Sequence, residues 1–428
     1  MRRTQLQPGY LFVAPWDVTD VGGVNQVILN LSRLMREGGT YVPKIVVASW
    51  TGAASPVNLR NGVPVSRMRL RAPLMPGAPV RSAIKWAATL VPDLVRLARC
   101  LRNDEIATVN VHYPSLAALQ IVLARVLLRR SLRIILSFHG LDVSHALGTA
   151  GLERWLWRRL LRNVDVIVAC SDALGRRVAH LDPCLRNRIT TVHNGIDIDH
   201  VMRARNPLAR VDARLQGQTF ILSVASYEAK KGLDVLLRAF GALHAERATG
   251  AMLALVGPDL GDGNRLRGLA KALGVSDRVV FCGEVPHADL HAYYGAATVF
   301  CLASRAEPFG IVLLEAAAFR RAVVATSVGG IPEVLTHDVN ARLGPPDDAA
   351  ALAAQLRRLL DSASERDRLA GALFEHVRAN FPWTRALRSY MALCEPPGGP
   401  AQMGIGQAPR ATVASAVSAR AIMPSRRR

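Results

Sequence analysis

The 428-residue chain has six cysteines, and no two of them form a CxxC pair. Cys100, Cys170, Cys184, Cys282, Cys301 and Cys394 are scattered, which argues against a disulfide framework or a zinc knuckle and for reduced thiols. No GxGxxG and no short-period repeat occurs, so neither the usual dinucleotide fingerprint nor a solenoid is expected. No run of 18 apolar residues is present, and no membrane-spanning helix is expected. The opening MRRTQLQPGYLFVAPW is too short and too interrupted by proline to read as a secretory leader. Lysine is scarce too: five of the 54 basic residues, the rest being arginine.

Half of the residues are apolar and a fifth are charged, a globular composition long enough for two or three domains. The formal net charge is +21 and unevenly spread. Residues 41–162 carry 18 basic and 5 acidic side chains, more than half of the excess. Such a surface suits an anionic membrane or a phosphorylated substrate. Nucleic acid is not expected as a partner, because aromatic stacking platforms and recognition motifs are missing.

Short β-branched runs alternate with helical patterns along the body. YLFVA, KIVVAS, ATVNVH, LRIILSF, VDVIVAC and RITTV are candidate strands of a first half, with helices over 24–36, 80–102, 114–130 and 151–162. Polar and turn residues over 200–219 interrupt the rhythm, which restarts with TFILSVA, AMLALVG, RVVFCG, ATVFCLAS and AVVAT. Apolar strands separated by helices indicate an α/β fold with parallel sheets covered on both faces. Ligands then bind beyond the carboxyl ends of the strands. Gly22 and Gly23, His112, His139, Lys230 and Lys231, and Glu307 all fall at such ends.

The segment AEPFGIVLLEAAAF at 306–319 sets two carboxylates, Glu307 and Glu315, in apolar surroundings. Pro308 keeps Glu307 out of helical geometry, so Glu307 belongs to a loop and Glu315 to the helix that follows. A helix start offers free N–H groups to phosphate, whereas carboxylates repel it and accept hydrogen bonds from vicinal hydroxyls. Two diol-bearing rings joined by a diphosphate fit both, which describes a nucleotide-sugar. Histidines 112 and 193 read as structural, Lys230 as a solvated neighbour of Lys231, and Glu333 as a first-turn acid of its own helix.

This segment, with AVVATSVGGIPEVL, VGGV, FHG, HNGID, KKGLDVLLRAF and FPWTRALRSYMALCE, resembles the retaining GT-B glycosyltransferases of family 4 over most of residues 10–393. The resemblance implies two Rossmann-like domains facing each other across a cleft. An acceptor domain would span 1–203, joined by a terminal helix at 381–394, and a donor domain 204–380, leaving a disordered basic tail at 395–428. Glu307 would hold the donor sugar, helped by the backbone of Phe309, Gly310 and Ile311, and Glu315 the ribose. Lys231 would meet the diphosphate, with Gly22 and Gly23 approaching from the opposite domain. His139 would lie beside the reacting carbon, and the base against the backbone at Gly283–Val285. His139, Glu307 and Lys231 are the expected catalytic residues.

One departure concerns the diphosphate. The family's usual arginine five residues before Lys231 is replaced by Ser226, which leaves one cation fewer on the leaving group. Transfer of a sugar to an acceptor hydroxyl with retention is expected, in cell-surface polysaccharide or glycolipid synthesis. The nucleotide-sugar serves as co-substrate, and no metal or other cofactor is expected. Alternative readings are an epimerase or phosphorylase of the same fold, or a non-catalytic sugar-nucleotide-binding protein. The acceptor would be lipid-linked or a saccharide. The protein would be cytoplasmic, with the amphipathic segments 81–102 and 152–162 able to meet the inner face of an anionic plasma membrane.

Overall fold

The computed structural model describes residues 7–19, 22–49, 58–75, 77–129, 131–203, 210–246 and 250–394. The expected basic tail at 395–428 lies outside them.

Two sheets organise the chain. The first contains β1 (Gly9–Ala14), β2 (Val42–Ser49), β3 (Asn58–Arg60), β4 (Val63–Arg69), β5 (Ile106–His112), β6 (Arg133–Phe138), β7 (Val166–Ala169) and β8 (Ile189–Thr191), in the order β3-β4-β2-β1-β5-β6-β7-β8. The second contains β9 (Phe220–Val224), β10 (Met252–Val256), β11 (Val279–Gly283), β12 (Val299–Leu302), β13 (Ala322–Thr326) and β14 (Arg342–Gly344), in the order β11-β10-β9-β12-β13-β14. Every described pairing is parallel except β3 with β4. This is the two-part Rossmann-like GT-B architecture that the resemblance implied.

The inner strands are buried along their length: all six residues of β1 and all five of β10 and β13. Helices on both faces account for that, and for the near-continuous apolar runs in the sequence. The hairpin β3–β4 was not expected. Its residues include Pro64, Arg67 and Arg69, and β3 is exposed throughout, so no apolar run marks it.

The helix Trp383–Ala392 returns to the first half. Trp383 and Tyr390 are buried in a core cluster with Tyr10, Phe12 and Ile28. The Tyr390 and Ser137 hydroxyls lie 3.2 Å apart, and Arg133 donates to the Leu393 carbonyl. Truncating an aromatic anchor of this kind costs about 3–5 kcal/mol.

Among the parallel strands, each sheet reverses strand order at one place, between β1 and β5 and between β9 and β12. Loops leaving these neighbours diverge and open a crevice. Gly23 follows β1, Lys231 follows β9 and Glu307 follows β12, so the topology itself gathers the chemistry-bearing residues at two facing edges.

Candidate active site

Three contacts bring the facing edges together. A Cβ added to Gly23 would lie 3.3 Å from Ile311 Cδ1 of the second half. Gly140, at the end of β6, has φ of +139°, and a Cβ there would fall 2.3 Å from Pro308 Cγ. Only glycine permits that backbone and that approach. Gly330 is pressed in the same way against Ser171 at the end of β7.

Glu307 is buried in the loop after β12, as Pro308 requires. Lys231 Nζ donates to its Oε2 at 2.8 Å, and Ser304 Oγ donates at 3.3 Å. A buried carboxylate is costly unless paired, and this pair satisfies the condition. Lys231 ends a 3-10 turn, Ala229–Lys231, after β9, where Gly232 in the left-handed region turns the chain into the helix Leu233–Glu246. Phe309 is buried and stacked on His193, with ring centroids 5.5 Å apart, and Gly310 caps the helix Ile311–Ala318.

Glu315 stands inside that helix and is buried. The Tyr294 hydroxyl donates to its Oε2 at 2.8 Å, and His287 Nε2 lies 3.2 Å from its Oε1. Gln26, from the helix Gly23–Gly38 of the first half, reaches the same oxygen at 3.4 Å and His287 Nε2 at 2.6 Å. Burial pushes the Glu315 carboxyl up, but the hydrogen bond and charge of His287, together with the hydrogen bonds of Tyr294 and Gln26, outweigh it and hold it below its ordinary value. The bond to Glu315 raises His287 in turn. Gln26, His287 and Tyr294 carry no motif in the sequence. Apolar neighbours of Glu315 were the one sign that it needed partners.

His139 directly follows β6, and its Nε2 lies 3.1 Å from His112 Nδ1. Burial pushes His139 down to about 4 and His112 well below its ordinary value, so both rings are neutral near pH 7. His112, expected to be structural, is buried in the core but in direct contact with the expected catalytic ring. Asp142 holds the turn by accepting from the His139, Gly140 and Val143 amides. Burial nonetheless raises Asp142 to about 6.

Ser226 donates to Glu228, which pairs with Lys230 at 3.0 Å. Lys230 is therefore half-buried and paired rather than merely solvated. Gly283 is committed within the fold: its amide donates to the Tyr227 hydroxyl and its carbonyl accepts from Gly257. Val285 lies two residues further on and two before His287. Beside Glu307, a cavity of about 340 Å³ opens between the halves, lined by Gly140, Ser144, Leu174, Arg177, Glu307 and Pro308 among others. Glu333 does not serve its own helix; it reaches the first half.

The arrangement offers buried carboxylates to hydroxyls, and one ammonium with a helix N-terminus to an anion. The family described as Glycosyl transferases group 1 matches residues 207–373, and that described as Glycosyltransferase Family 4 matches residues 21–200. A D-inositol 3-phosphate glycosyltransferase of Catenulispora acidiphila is 27% identical over 389 residues, covering 87% of this chain and 90% of that protein. Sucrose-phosphate synthase from Thermosynechococcus elongatus superposes with a TM-score of 0.68 and 22% identity, over 90% of this chain and 98% of that one. Anabaena HepE, solved with UDP-glucose, gives 0.69 and 15% at the same coverage. Each half of the chain thus matches one of the two families, and the fold agrees along nearly its whole length. The chain belongs to the family 4, or group 1, glycosyltransferases and has their GT-B fold.

Proposed function

We propose that the protein moves a hexosyl group from a nucleoside diphosphate sugar to an acceptor hydroxyl, with retention of anomeric configuration. The observation that carries this is the Lys231–Glu307 pair at the mouth of the second sheet. A sugar hydroxyl can accept from Lys231 or donate to Glu307, while the departing diphosphate gains charge beside the same ammonium. With Ser226 bound to Glu228, Lys231 carries the diphosphate without the family's usual arginine. Retention follows the family resemblance: a front-side displacement in which the leaving phosphate helps to take the acceptor proton. Contact between the halves keeps water, the competing acceptor, away from the donor.

For the nucleotide, Glu315 holds the ribose and the backbone from Gly283, the last residue of β11, to Val285 supports the base. His287 and Gln26 must give way on Oε1, whereas Tyr294 keeps Oε2. HepE binds UDP-glucose and the Catenulispora relative acts on D-inositol 3-phosphate, so a UDP-sugar and a phosphorylated or saccharide acceptor are the first to try.

A membrane-linked acceptor is proposed from the first half. The helix Pro79–Asn103 exposes Val80, Ile84, Val91 and Val95 along one stripe, flanked by Arg81, Lys85, Arg96 and Arg99. This suits a peripheral place on an anionic surface and a role in polysaccharide or glycolipid synthesis. The helix Gly151–Arg162 contributes less: Trp157 is core, while Trp155 faces outward.

The test is thermal-shift screening against UDP-, GDP- and ADP-sugars, because a ligand that binds only the folded protein raises its melting temperature. Product analysis by NMR then reads the anomeric configuration. Intact donor after long incubation with both acceptor classes would instead mark a non-catalytic binding protein.

A further inference from the structure

Glu333 is a half-buried carboxylate that the proposed mechanism does not use. It stands in the four-residue helix Ile331–Val334 of the second half, yet its oxygens serve the first. The Asp172 amide donates to Oε2 at 2.8 Å and the Ala173 amide to Oε1 at 2.9 Å. These are the first two residues of the helix Asp172–Ala179, whose next free amide, Leu174, is taken by Ser171 Oγ. His193 Nε2, just past β8, lies 2.8 Å from Oε2. A carboxylate on free N–H groups at the positive end of a helix dipole is stabilised by both effects.

The turn that carries Glu333 also holds Glu307. The Gly330 amide donates to the Glu307 carbonyl at 3.0 Å. Gly329 has φ of +55°, and a Cβ there would lie 1.9 Å from that carbonyl oxygen, so only glycine fits. A Cβ at Gly330 would meet the Pro308 carbonyl at 2.4 Å on one side and Ser171 Cβ at 3.0 Å on the other. His193 closes the circuit by stacking on Phe309. Only Ile331 and Pro332 therefore separate the residue anchored on the first half, Glu333, from the Gly330 amide that holds the loop of Glu307.

We propose that Glu333 is an interdomain pin, a positioning residue that couples closure of the two halves to the seating of Glu307. When the halves part, the Asp172 and Ala173 amides leave the carboxylate. The glycine turn then loses its wedge against Ser171, and the Glu307 loop loses its fixed support. The donor sugar accordingly meets a correctly set carboxylate only in the closed form. The kinetic consequence rests on the glycosyltransferase reading; the pin itself does not.

The experiment compares Glu333→Ala and Glu333→Gln with the full-length protein by amide hydrogen exchange and by kinetics. Exchange at Asp172 and Ala173 should accelerate at least tenfold in the alanine variant and less in the glutamine variant, whose side-chain oxygen still accepts one bond. Exchange in β9, β10 and β13 should not change. With the donor found by thermal shift, kcat should fall tenfold or more, while the affinity for the matching nucleoside diphosphate stays within twofold. Unchanged exchange at the two amides overturns the pin. Faster exchange with kcat within twofold overturns the coupling, and faster exchange throughout the second sheet shows a general structural role and overturns both. If no nucleotide shifts the melting temperature, the glycosyltransferase reading fails, while the exchange measurement still decides the pin.

Discussion

The Lys231 ammonium lies 2.8 Å from a carboxylate oxygen of Glu307, and both side chains are largely buried. One residue comes from the turn after β9 and the other from the loop after β12, neighbours at the strand-order reversal of the second sheet. In the proposed function, this pair sets the cation for the leaving group in direct contact with the carboxylate for the donor sugar.

Lys231→Ala should therefore lower kcat by about a hundredfold or more, the usual effect of removing one donor to a developing oxyanion. It should also lower the melting temperature, because Glu307 would be left buried with only Ser304 as a partner. Lys231→Arg keeps the charge and should recover part of both. Steady-state kinetics beside calorimetry check the prediction, and a variant with unchanged kcat would contradict it.

His287 gives a pH dependence with a defined sign. Its pKa in the fold is raised above the ordinary 6.5 by Glu315, so the stabilisation is complete below that value and is lost as pH rises through the raised one. Glu315 is lowered from 4.5, so its share is present above 4.5 and is lost as pH falls through the lower value. The melting-temperature gap between the native protein and His287→Gln should narrow as pH rises from 6.5 through the raised value. A gap that stays constant or widens would contradict the pairing.

His139, held near 4 by burial, should contribute no limb to the pH–rate profile between pH 5 and 8. His139→Ala should cost a hundredfold or more in kcat if the ring lies beside the reacting carbon. His112→Phe keeps the volume but removes the bond to His139 Nε2. It should lower kcat about tenfold, a loss typical of a mispositioned catalytic group, and leave nucleotide affinity unchanged. Equal losses in affinity and turnover would assign His112 to packing alone.

The helix Pro79–Asn103 predicts binding to anionic vesicles at low salt and release at high salt, since contacts between exposed charges are screened. Ile84→Glu or Val91→Glu should abolish the binding without changing turnover on a soluble acceptor, because both side chains are exposed. Vesicle co-sedimentation reads this directly, and absence of binding at low salt would remove the membrane proposal.

Much of this molecule is legible in its residues for physical reasons. Strands buried on both faces must be largely apolar, so β1, β6, β10 and β13 announce themselves. Pro308 fixes Glu307 in a loop, and the apolar run around Glu315 fixes a helix. Pattern says little where burial is incomplete or where distant segments meet. The exposed hairpin β3–β4 has no apolar face to read. Gln26 and Glu315 are 289 residues apart, and no spacing rule links them. Glu333 looks like any first-turn acid until the fold brings Asp172 and Ala173 beneath it.

The central claim is that two acidic side chains of the second half hold the donor while Lys231 receives its diphosphate. The most direct measurement is donor affinity and turnover for Glu307→Ala and Glu315→Ala, with the donor identified by thermal shift. Loss of turnover by about a hundredfold for the first, and weaker nucleoside diphosphate binding for the second, is the predicted result. Native turnover and native affinity in either variant would contradict the account.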